Sequence, residues 1–309
     1  MKKITLLIPC YNEEASLPAL YDRVTQVIGG MPQYEWQLLL VNDGSTDGTL
    51  SVLADLRARD PRVCYIDLSR NFGKESAMLA GFDHASGDAV VVMDADLQHP
   101  PEVIGQLLEG WEEGYDDVYA RRESRGCEPL LRRWLSLAYY HLLQHSTRLN
   151  VLPNVGDFRL LDRKCIDALK GLRERARNTK GLYAWIGFKK KEITFVQGDR
   201  KEGKSSFNIW RLLKLAMDGI TSFTTAPLRI ATLLGLIVSL GAFFYMCYVL
   251  VKTLIMGDPV AGFPTLIVAI LFLSGVQLLS IGIIGEYLGR VFIETKERPV
   301  YLIREKQGV

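Results

Sequence analysis

Neither a Cys-x-x-Cys pair nor a close cysteine–histidine cluster occurs among the five cysteines (Cys10, Cys64, Cys127, Cys165 and Cys247) of this 309-residue chain. That spacing excludes a zinc site and a disulfide framework and fits a catalytic domain in a reducing cytosol. Net charge is nearly absent as well, at +2, so the bulk electrostatic signature of a nucleic-acid partner is missing. A signal peptide is not indicated: the apolar run Ile4–Ile8 is too short, and Pro9-Cys10-Tyr11-Asn12-Glu13-Glu14 ends it without a small-residue cleavage site. That run reads instead as a first β-strand.

Charge is scarcest in two places. Ile230–Val251 and Pro264–Gly285 each run for 22 residues without Asp, Glu, Lys or Arg. At about 1.5 Å per residue either forms a helix of about 33 Å, enough for a hydrocarbon core of about 30 Å. Joined by a short Gly/Pro-containing loop, they predict a transmembrane hairpin. Arg211, Lys214 and Arg229 precede the first span, and Arg290, Lys296, Arg298, Arg304 and Lys306 follow the second. The loop holds only Lys252 at its edge and Asp258. The positive-inside rule then puts both termini and the catalytic domain in the cytoplasm, on the inner membrane. A charge-free hairpin is an anchor rather than a solute pathway, which argues against a membrane carrier. Small residues such as Gly241 and Gly275 would let it pack against copies of itself, as a homo-oligomer. Asn208–Ser222 is amphipathic, with Ile209, Leu212, Leu213, Ala216, Met217 and Ile220 on one face. The expected organisation is a catalytic domain over 1–207, a juxtamembrane helix over 208–226, and the hairpin with a cytoplasmic tail over 227–309.

What the first 120 residues contain is alternation. Short apolar runs at Ile4–Ile8, Trp36–Val41, Val63–Leu68, Ala89–Met93 and Asp117–Ala120 are separated by helical patterns at Ala15–Ile28, Thr46–Arg59, Lys74–Ala85 and Pro101–Glu113. Ser45 and Thr46 stand where an N-cap would, and Pro101 suits a first helical turn. Continuous apolar strands between helices predict an α/β, doubly wound, mostly parallel sheet. Beyond it, strands are expected at Phe158–Leu161 and Glu192–Val196, with helices over Pro129–Thr147 and from Lys164.

The chemistry concentrates where strands end. Val90-Val91-Val92-Met93 runs into Asp94-Ala95-Asp96-Leu97-Gln98. Carboxylates at i and i+2 share one side of an extended chain, at the sheet edge where α/β folds collect ligands. Two hard oxygen donors there suit Mg²⁺ or Mn²⁺ completed by a diphosphate and water. As a mere turn before the Pro101 helix, the pair would repel without a cation. Asp43 follows the strand Leu38–Val41 and could hold the base or ribose of a nucleotide, although Asn42-Asp43-Gly44-Ser45 is also a good turn sequence. Pro9, Tyr11 and Glu13 follow the first strand, and Tyr11 could stack on a base. Arg121, Arg122 and Arg125, in a loop after the fifth strand, are candidates for an acceptor phosphate; a solvated charge run is the equal alternative.

Gly198-Asp199-Arg200-Lys201-Glu202-Gly203-Lys204-Ser205 fits the P-loop expression letter for letter. An NTPase reading fails on order, because the only Walker B candidate, Val90–Asp94, lies far upstream, and because the following helix leads to the membrane.

Taken together, Ile8-Pro9-Cys10-Tyr11-Asn12-Glu13, Val41-Asn42-Asp43-Gly44-Ser45, Asp94-Ala95-Asp96, Asn71-Phe72-Gly73-Lys74, Gly156-Asp157-Phe158-Arg159-Leu160 and Asp199–Ser205 resemble family 2 inverting glycosyltransferases of the GT-A fold. The resemblance covers nearly the whole chain. Within the family it is nearest the polyprenyl-phosphate branch, which includes dolichyl-phosphate mannose synthases and the bactoprenol glucosyltransferases, the latter most similar in tail and Gly-Asp-Phe-Arg segment. Leu130-Leu131-Arg132-Arg133-Trp134 lacks the glutamine of the Q-x-x-R-W signature of processive synthases, which argues for a single transfer.

The resemblance implies a sugar nucleotide donor and a polyprenyl phosphate acceptor. Pro9, Tyr11, Glu13, Asp43, Lys74 and Asp94 would bind the nucleotide, and Asp94, Asp96 and Gln98 the metal diphosphate. Asp96 and Asp157 would carry catalysis, Asp157 facing the acceptor. Arg200, Lys204 and Ser205 would close over the phosphates. Glucose from UDP-glucose onto undecaprenyl phosphate, for cell-surface glycan modification, is the expected reaction; GDP-mannose or a modified UDP-pentose would use the same chemistry.

Overall fold

The computed structural model of the chain describes residues 1–122, 155–175, 177–195 and 262–309, with isolated positions between 228 and 255. Two units emerge: Met1–Leu212 together with Arg298–Val309, and Leu213–Glu297.

The first unit is built on an eight-stranded sheet in the order β7-β5-β6-β4-β1-β2-β3-β8. Its strands are β1 (Lys2–Cys10), β2 (Tyr34–Asn42), β3 (Val63–Leu68), β4 (Ala89–Val92), β5 (Asp117–Arg122), β6 (Val155–Asp162), β7 (Lys190–Phe195) and β8 (Ile303–Gln307). The apolar runs become strands because both faces are covered: Ile4, Leu6 and Leu7 of β1 and Val90, Val91 and Val92 of β4 are fully buried. The helices are α1 (Leu17–Gly29), α2 (Thr49–Arg59), α3 (Lys74–His84), α4 (Ile104–Glu112), α5 (Arg163–Gly171) and α6 (Thr179–Trp185). Pro101 opens a short 3₁₀ turn, Pro101–Val103, that leads straight into α4.

Several expectations need correcting. The sheet is mostly parallel, with six strands running one way, but two of its strands are reversed. β3, β2, β1 and β4 run parallel, but β6 lies antiparallel to both β4 and β5, and β8 antiparallel to β3. The N-cap of α2 is Gly48, not Ser45 or Thr46. Those two are occupied elsewhere: Thr46 N–H donates to Asn12 Oδ1 (2.9 Å), and Ser45 Oγ accepts from Asn12 N–H (2.9 Å). Arg121 and Arg122 are the last residues of β5, not loop residues. Residues 298–309, grouped with the hairpin as a tail, belong with the first unit and supply the eighth strand of its sheet. β8 carries too few apolar residues, and α6 spans too few residues, to stand out as elements in the sequence.

In the second unit a long helix, α7, spans Phe263–Thr295. Among the described residues, Phe272–Thr295 is the one stretch long and apolar enough to cross a membrane. It extends past the expected end at Gly285, and Glu286 and Arg290 continue the helix as an i,i+4 ion pair at 3.1 Å. The first expected span is described only at scattered positions, and the juxtamembrane segment 208–226 lies outside the described residues, as does the helix expected over Pro129–Thr147.

One buried ion pair locks β5 to β6. Arg159 Nη1 donates to Asp117 Oδ2 at 3.0 Å, with the two residues 4% and 0% exposed. The guanidinium also sits 3.7 Å from the centre of the Tyr183 ring, which ties in α6. Arg159→Ala leaves the buried Asp117 with only Lys190, 3.9 Å away, as counter-charge, so the expected cost is about 3 kcal/mol. A fall in the thermal unfolding midpoint of the full chain measures it; a midpoint at the wild-type value contradicts it.

Candidate active site

Parallel β1, β2 and β4 end at one edge, and a cleft of about 300 Å³ opens there. Pro9, Cys10, Tyr11 and Glu13 line it after β1, Asp43 after β2, and Asp94, Ala95 and Asp96 after β4; Asn71, Gly73, Lys74 and Ala77 close it from the start of α3. Seven residues expected at the site, Pro9, Tyr11, Glu13, Asp43, Lys74, Asp94 and Asp96, therefore meet in one cavity. Tyr11 is 44% exposed, with its ring free to take a flat partner.

The loops of this rim are laced together. Asn12, in a left-handed conformation (φ 55°), turns the chain after β1 and binds Ser45 and Thr46 across the gap. Gly48 N–H donates to Glu14 Oε2 at 2.9 Å. Gly44 also has positive φ (64°), and a Cβ there would lie 2.3 Å from the Arg70 carbonyl carbon, so only glycine fits. Asp43 is buried and accepts two backbone N–H groups, from Phe72 (2.7 Å) and Gly73 (2.9 Å). Its carboxylate thus fixes the loop beside the cleft, a task that the turn sequence did not reveal. Burial pushes the Asp43 carboxyl above its usual range, although those two N–H groups and Arg70 oppose the shift.

Among the described residues lining the cleft, four carboxylates (Glu13, Asp43, Asp94 and Asp96) face one cation, Lys74. Burial raises the Glu13 carboxyl, Ser16 counters this, and the neighbouring charges of Asp96, Asp47 and Asp94 raise it further. Such a rim calls for added positive charge. Asp94 and Asp96 offer the hard-oxygen pair that a divalent ion takes when phosphates complete its shell. Asp94 Oδ1 is buried and accepts no hydrogen bond, meeting only the Lys74 ammonium as an ion pair at 2.5 Å. The donor chemistry therefore fits Mg²⁺ or Mn²⁺. Among the described residues no cluster of three or more His, Cys, Asp and Glu forms a self-sufficient metal cage. Gln98, expected as a third ligand, is buried and is not among the residues lining the cleft; its backbone N–H donates to Asp96 Oδ1 at 3.1 Å.

Antiparallel β6 brings in Asp157. Arg159 pairs with Val92 in register, so Asp157, two residues earlier, falls beside the carboxyl end of β4. Lys74 Nζ joins the two strands, 2.5 Å from Asp94 and 2.8 Å from Asp157 Oδ2. Burial works against the Asp157 carboxylate, but Lys74, Lys180 and Arg159 outweigh it and hold the carboxyl below its usual range. Burial likewise disfavours the Lys74 ammonium, and the two carboxylates lift its pKa above the ordinary lysine value. Asp157 Oδ1 is buried without a hydrogen-bond partner among the described residues.

Sequence reasoning missed two supports. His99 Nδ1 accepts from the Asp94 N–H at 3.2 Å while its ring stacks on Phe158 at 4.8 Å. Thr179 N–H donates to Glu75 Oε2 at 3.0 Å, anchoring α6 to the turn that carries Lys74. A lone histidine and a lone threonine give no pattern that spacing could find. The structure does not bring Arg121 to the cleft. Arg121 is ion-paired to Glu192 at 3.2 Å because β7 lies beside β5. The Arg122 side chain, Arg125, Arg200, Lys204 and Ser205 lie outside the described residues.

Comparison with known proteins gives two family matches: Glycosyl transferase family 2 over residues 5–170, and the GtrB C-terminal hairpin over residues 226–291. The bactoprenol glucosyl transferase of Shigella phage SfV is 45% identical over 306 residues, covering 99% of each chain. The prophage bactoprenol glucosyl transferase homolog of Escherichia coli (strain K12) is 43% identical, covering 98% of each. Among solved structures, glucosyl-3-phosphoglycerate synthase from Mycobacterium tuberculosis, in complex with Mn²⁺, UDP and phosphoglyceric acid, matches 71% of this chain and 76% of its own at 20% identity and a TM-score of 0.46.

The Lys74 bridge predicts a pH-dependent stability gap. An Asp157 carboxyl with a depressed folded pKa contributes stability above its unfolded pKa and loses it as pH falls through the folded one. Lys74→Met should therefore destabilise the chain by about 1–2 kcal/mol at pH 7, less than a fully buried pair because the Lys74 side chain is 42% exposed. Thermal midpoints of variant and wild type should converge as pH drops below about 4. A gap that stays constant across that range contradicts the pairing.

Proposed function

Because the chain belongs to glycosyl transferase family 2, we propose that it moves one glucosyl group from UDP-glucose to undecaprenyl phosphate, with inversion at the anomeric carbon. The observation that carries this reading is the convergence of three strand ends and a pair of hard-oxygen donors on one cleft, with a buried, ionised Asp157 joined to it through Lys74. The full-length likeness to bactoprenol glucosyl transferases supports the donor and the lipid acceptor.

In this reading Tyr11 stacks on the base, and Pro9, Glu13 and Asp43 shape the nucleoside pocket. Asp94 and Asp96 hold Mg²⁺ or Mn²⁺, which when bound stabilises the charge that builds on the departing diphosphate. An oxygen of the lipid phosphate attacks the anomeric carbon, and the bond from that carbon to the UDP β-phosphate oxygen breaks, the pair leaving with UDP. With a second pKa of about 6 for a phosphomonoester, the acceptor is largely dianionic at neutral pH, so no strong base is required. Asp157 Oδ1, buried and without a hydrogen-bond partner among the described residues, would accept a hydrogen bond from a donor-sugar hydroxyl or the proton of a monoanionic acceptor. Lys74 holds Asp157 ionised and lends positive charge where two anions must approach. The two-span hairpin anchors the enzyme in the inner membrane with its catalytic domain and both termini in the cytoplasm.

Incubation of the purified full chain with undecaprenyl phosphate and labelled UDP-glucose, GDP-mannose or a UDP-pentose tests the reading. A labelled lipid from UDP-glucose is the expected product; label from another donor reassigns the sugar, and none from any donor refutes the transfer. Asp94→Asn and Asp96→Asn should each lower turnover by at least about 100-fold, and excess chelator should abolish it. Asp157→Asn should lower kcat by a similar factor while UDP affinity, read by calorimetry, stays within about twofold.

A further inference from the structure

The strand that follows the membrane hairpin reaches the donor cleft through a continuous polar chain. β8 pairs antiparallel with β3, and the register shifts between Asp67 and Leu68, opposite Arg304. Arg304 uses that irregularity to grip the end of β3 twice: Nη2 donates to the Ser69 carbonyl at 2.7 Å, and Nη1 lies 3.3 Å from Asp67 Oδ2. Asp67 is fully buried, and its other oxygen accepts from Asn42 Nδ2 at 2.8 Å. Asn42 Oδ1 in turn accepts from the Ser45 N–H at 3.3 Å, and Ser45 Oγ accepts from the Asn12 N–H. Asn42 directly precedes Asp43, and Asn12 stands between Tyr11 and Glu13, so the chain ends on segments that line the cleft.

The second grip acts on the same rim. Ser69 precedes Asn71 and Gly73, which line the cleft and whose loop is pinned to Asp43. A guanidinium has the planar fork needed to hold a carbonyl and a carboxylate at once. No other described cation contacts Asp67, so β8 alone supplies its counter-charge.

We propose that Arg304 is a positioning residue for the sugar-nucleotide donor: by clamping Asp67 and Ser69 it sets the Asn42–Ser45 turn and the Asn71–Gly73 loop at the distance the nucleotide requires. The proposal rests on the donor-cleft reading above and adds to it a role for the segment beyond the hairpin. Its loss loosens the donor pocket without touching the reacting atoms, so binding suffers and the chemical step does not.

The test uses the full chain as wild type, Arg304→Ala, Arg304→Lys and Tyr301→Phe. Tyr301 also fastens this segment, through its hydroxyl on Asp83 (2.6 Å), but has no contact with Asp67. Donor KM and kcat are measured with UDP-glucose and undecaprenyl phosphate, and UDP affinity by calorimetry without acceptor. Arg304→Ala should raise both donor KM and the UDP Kd about tenfold while kcat and acceptor KM stay within about twofold. Arg304→Lys should recover part of the loss, and Tyr301→Phe should bind UDP as wild type does. Wild-type UDP affinity in Arg304→Ala overturns the proposal, as does an equal loss in Tyr301→Phe. If Arg304→Ala fails to fold, Asp67→Asn, which keeps the strand pairing and removes the ion pair, must weaken UDP binding to the same extent or the proposal falls. A wild-type chain that uses a different sugar nucleotide defeats the UDP-glucose reading alone; the ratio of variant to wild type with that donor then decides this one.

Discussion

Carboxylates crowd one edge of the sheet, and the rest of the site is arranged around that charge. Glu13, Asp43, Asp94 and Asp96 line a cavity with one ammonium group among its described walls, and Asp157 stands just beyond it. Close acids left alone neutralise one another by taking up protons. Here each is managed differently. Asp43 spends its charge on backbone N–H groups, Asp157 is held ionised by Lys74, and Asp94 and Asp96 face a space where a cation and its phosphates are the natural complement. A cleft of this kind has little affinity for an anion by itself, so donor and metal are best regarded as a single ligand.

Strand direction determines which acids meet. A wholly parallel sheet would send the start of β6, and Asp157 with it, to the opposite edge from Asp94. Because β6 runs backwards between β4 and β5, its first residues share the edge where β4 ends. The Arg159–Asp117 pair, two residues along the same strand, then fixes that reversed strand against β5 deep in the core. The acid beside the cleft and the cation holding its strand in place are thus neighbours on one short segment, Asp157-Phe158-Arg159.

Much of this was legible in the sequence for a physical reason. Strands buried on both faces leave unbroken apolar runs, and polar residues that end such runs fall at a ligand edge, so Asp94, Asp96, Asp43 and the Pro9–Glu13 segment could be placed without a structure. Lys74 was found only through the Asn-Phe-Gly-Lys resemblance, since a lysine opening a helix has no distinctive spacing. The reversed direction of β6 left no trace, because alternation of apolar residues is the same read either way. β8 was hidden for a different cause. Ile303-Arg304-Glu305-Lys306-Gln307 is almost wholly polar, as an edge strand with one solvated side can be, and composition alone marks it as a tail. Arg121 misled because a charge run gives no hint that Glu192 waits on the next strand.

The position of β8 in the chain also bears on how the protein is made. Tyr65 and Glu305, joined by a side-chain hydrogen bond, are 240 residues apart, with the hairpin between them. Synthesis proceeds from the first strand towards the last, so seven strands and the apolar hairpin leave the ribosome before the eighth is available. Until then β3 presents a bare hydrogen-bonding edge, the sort that recruits foreign strands. Completion of the sheet is therefore ordered behind production of the apolar segment, and a chain stalled before Ile303 carries an open seam along β3.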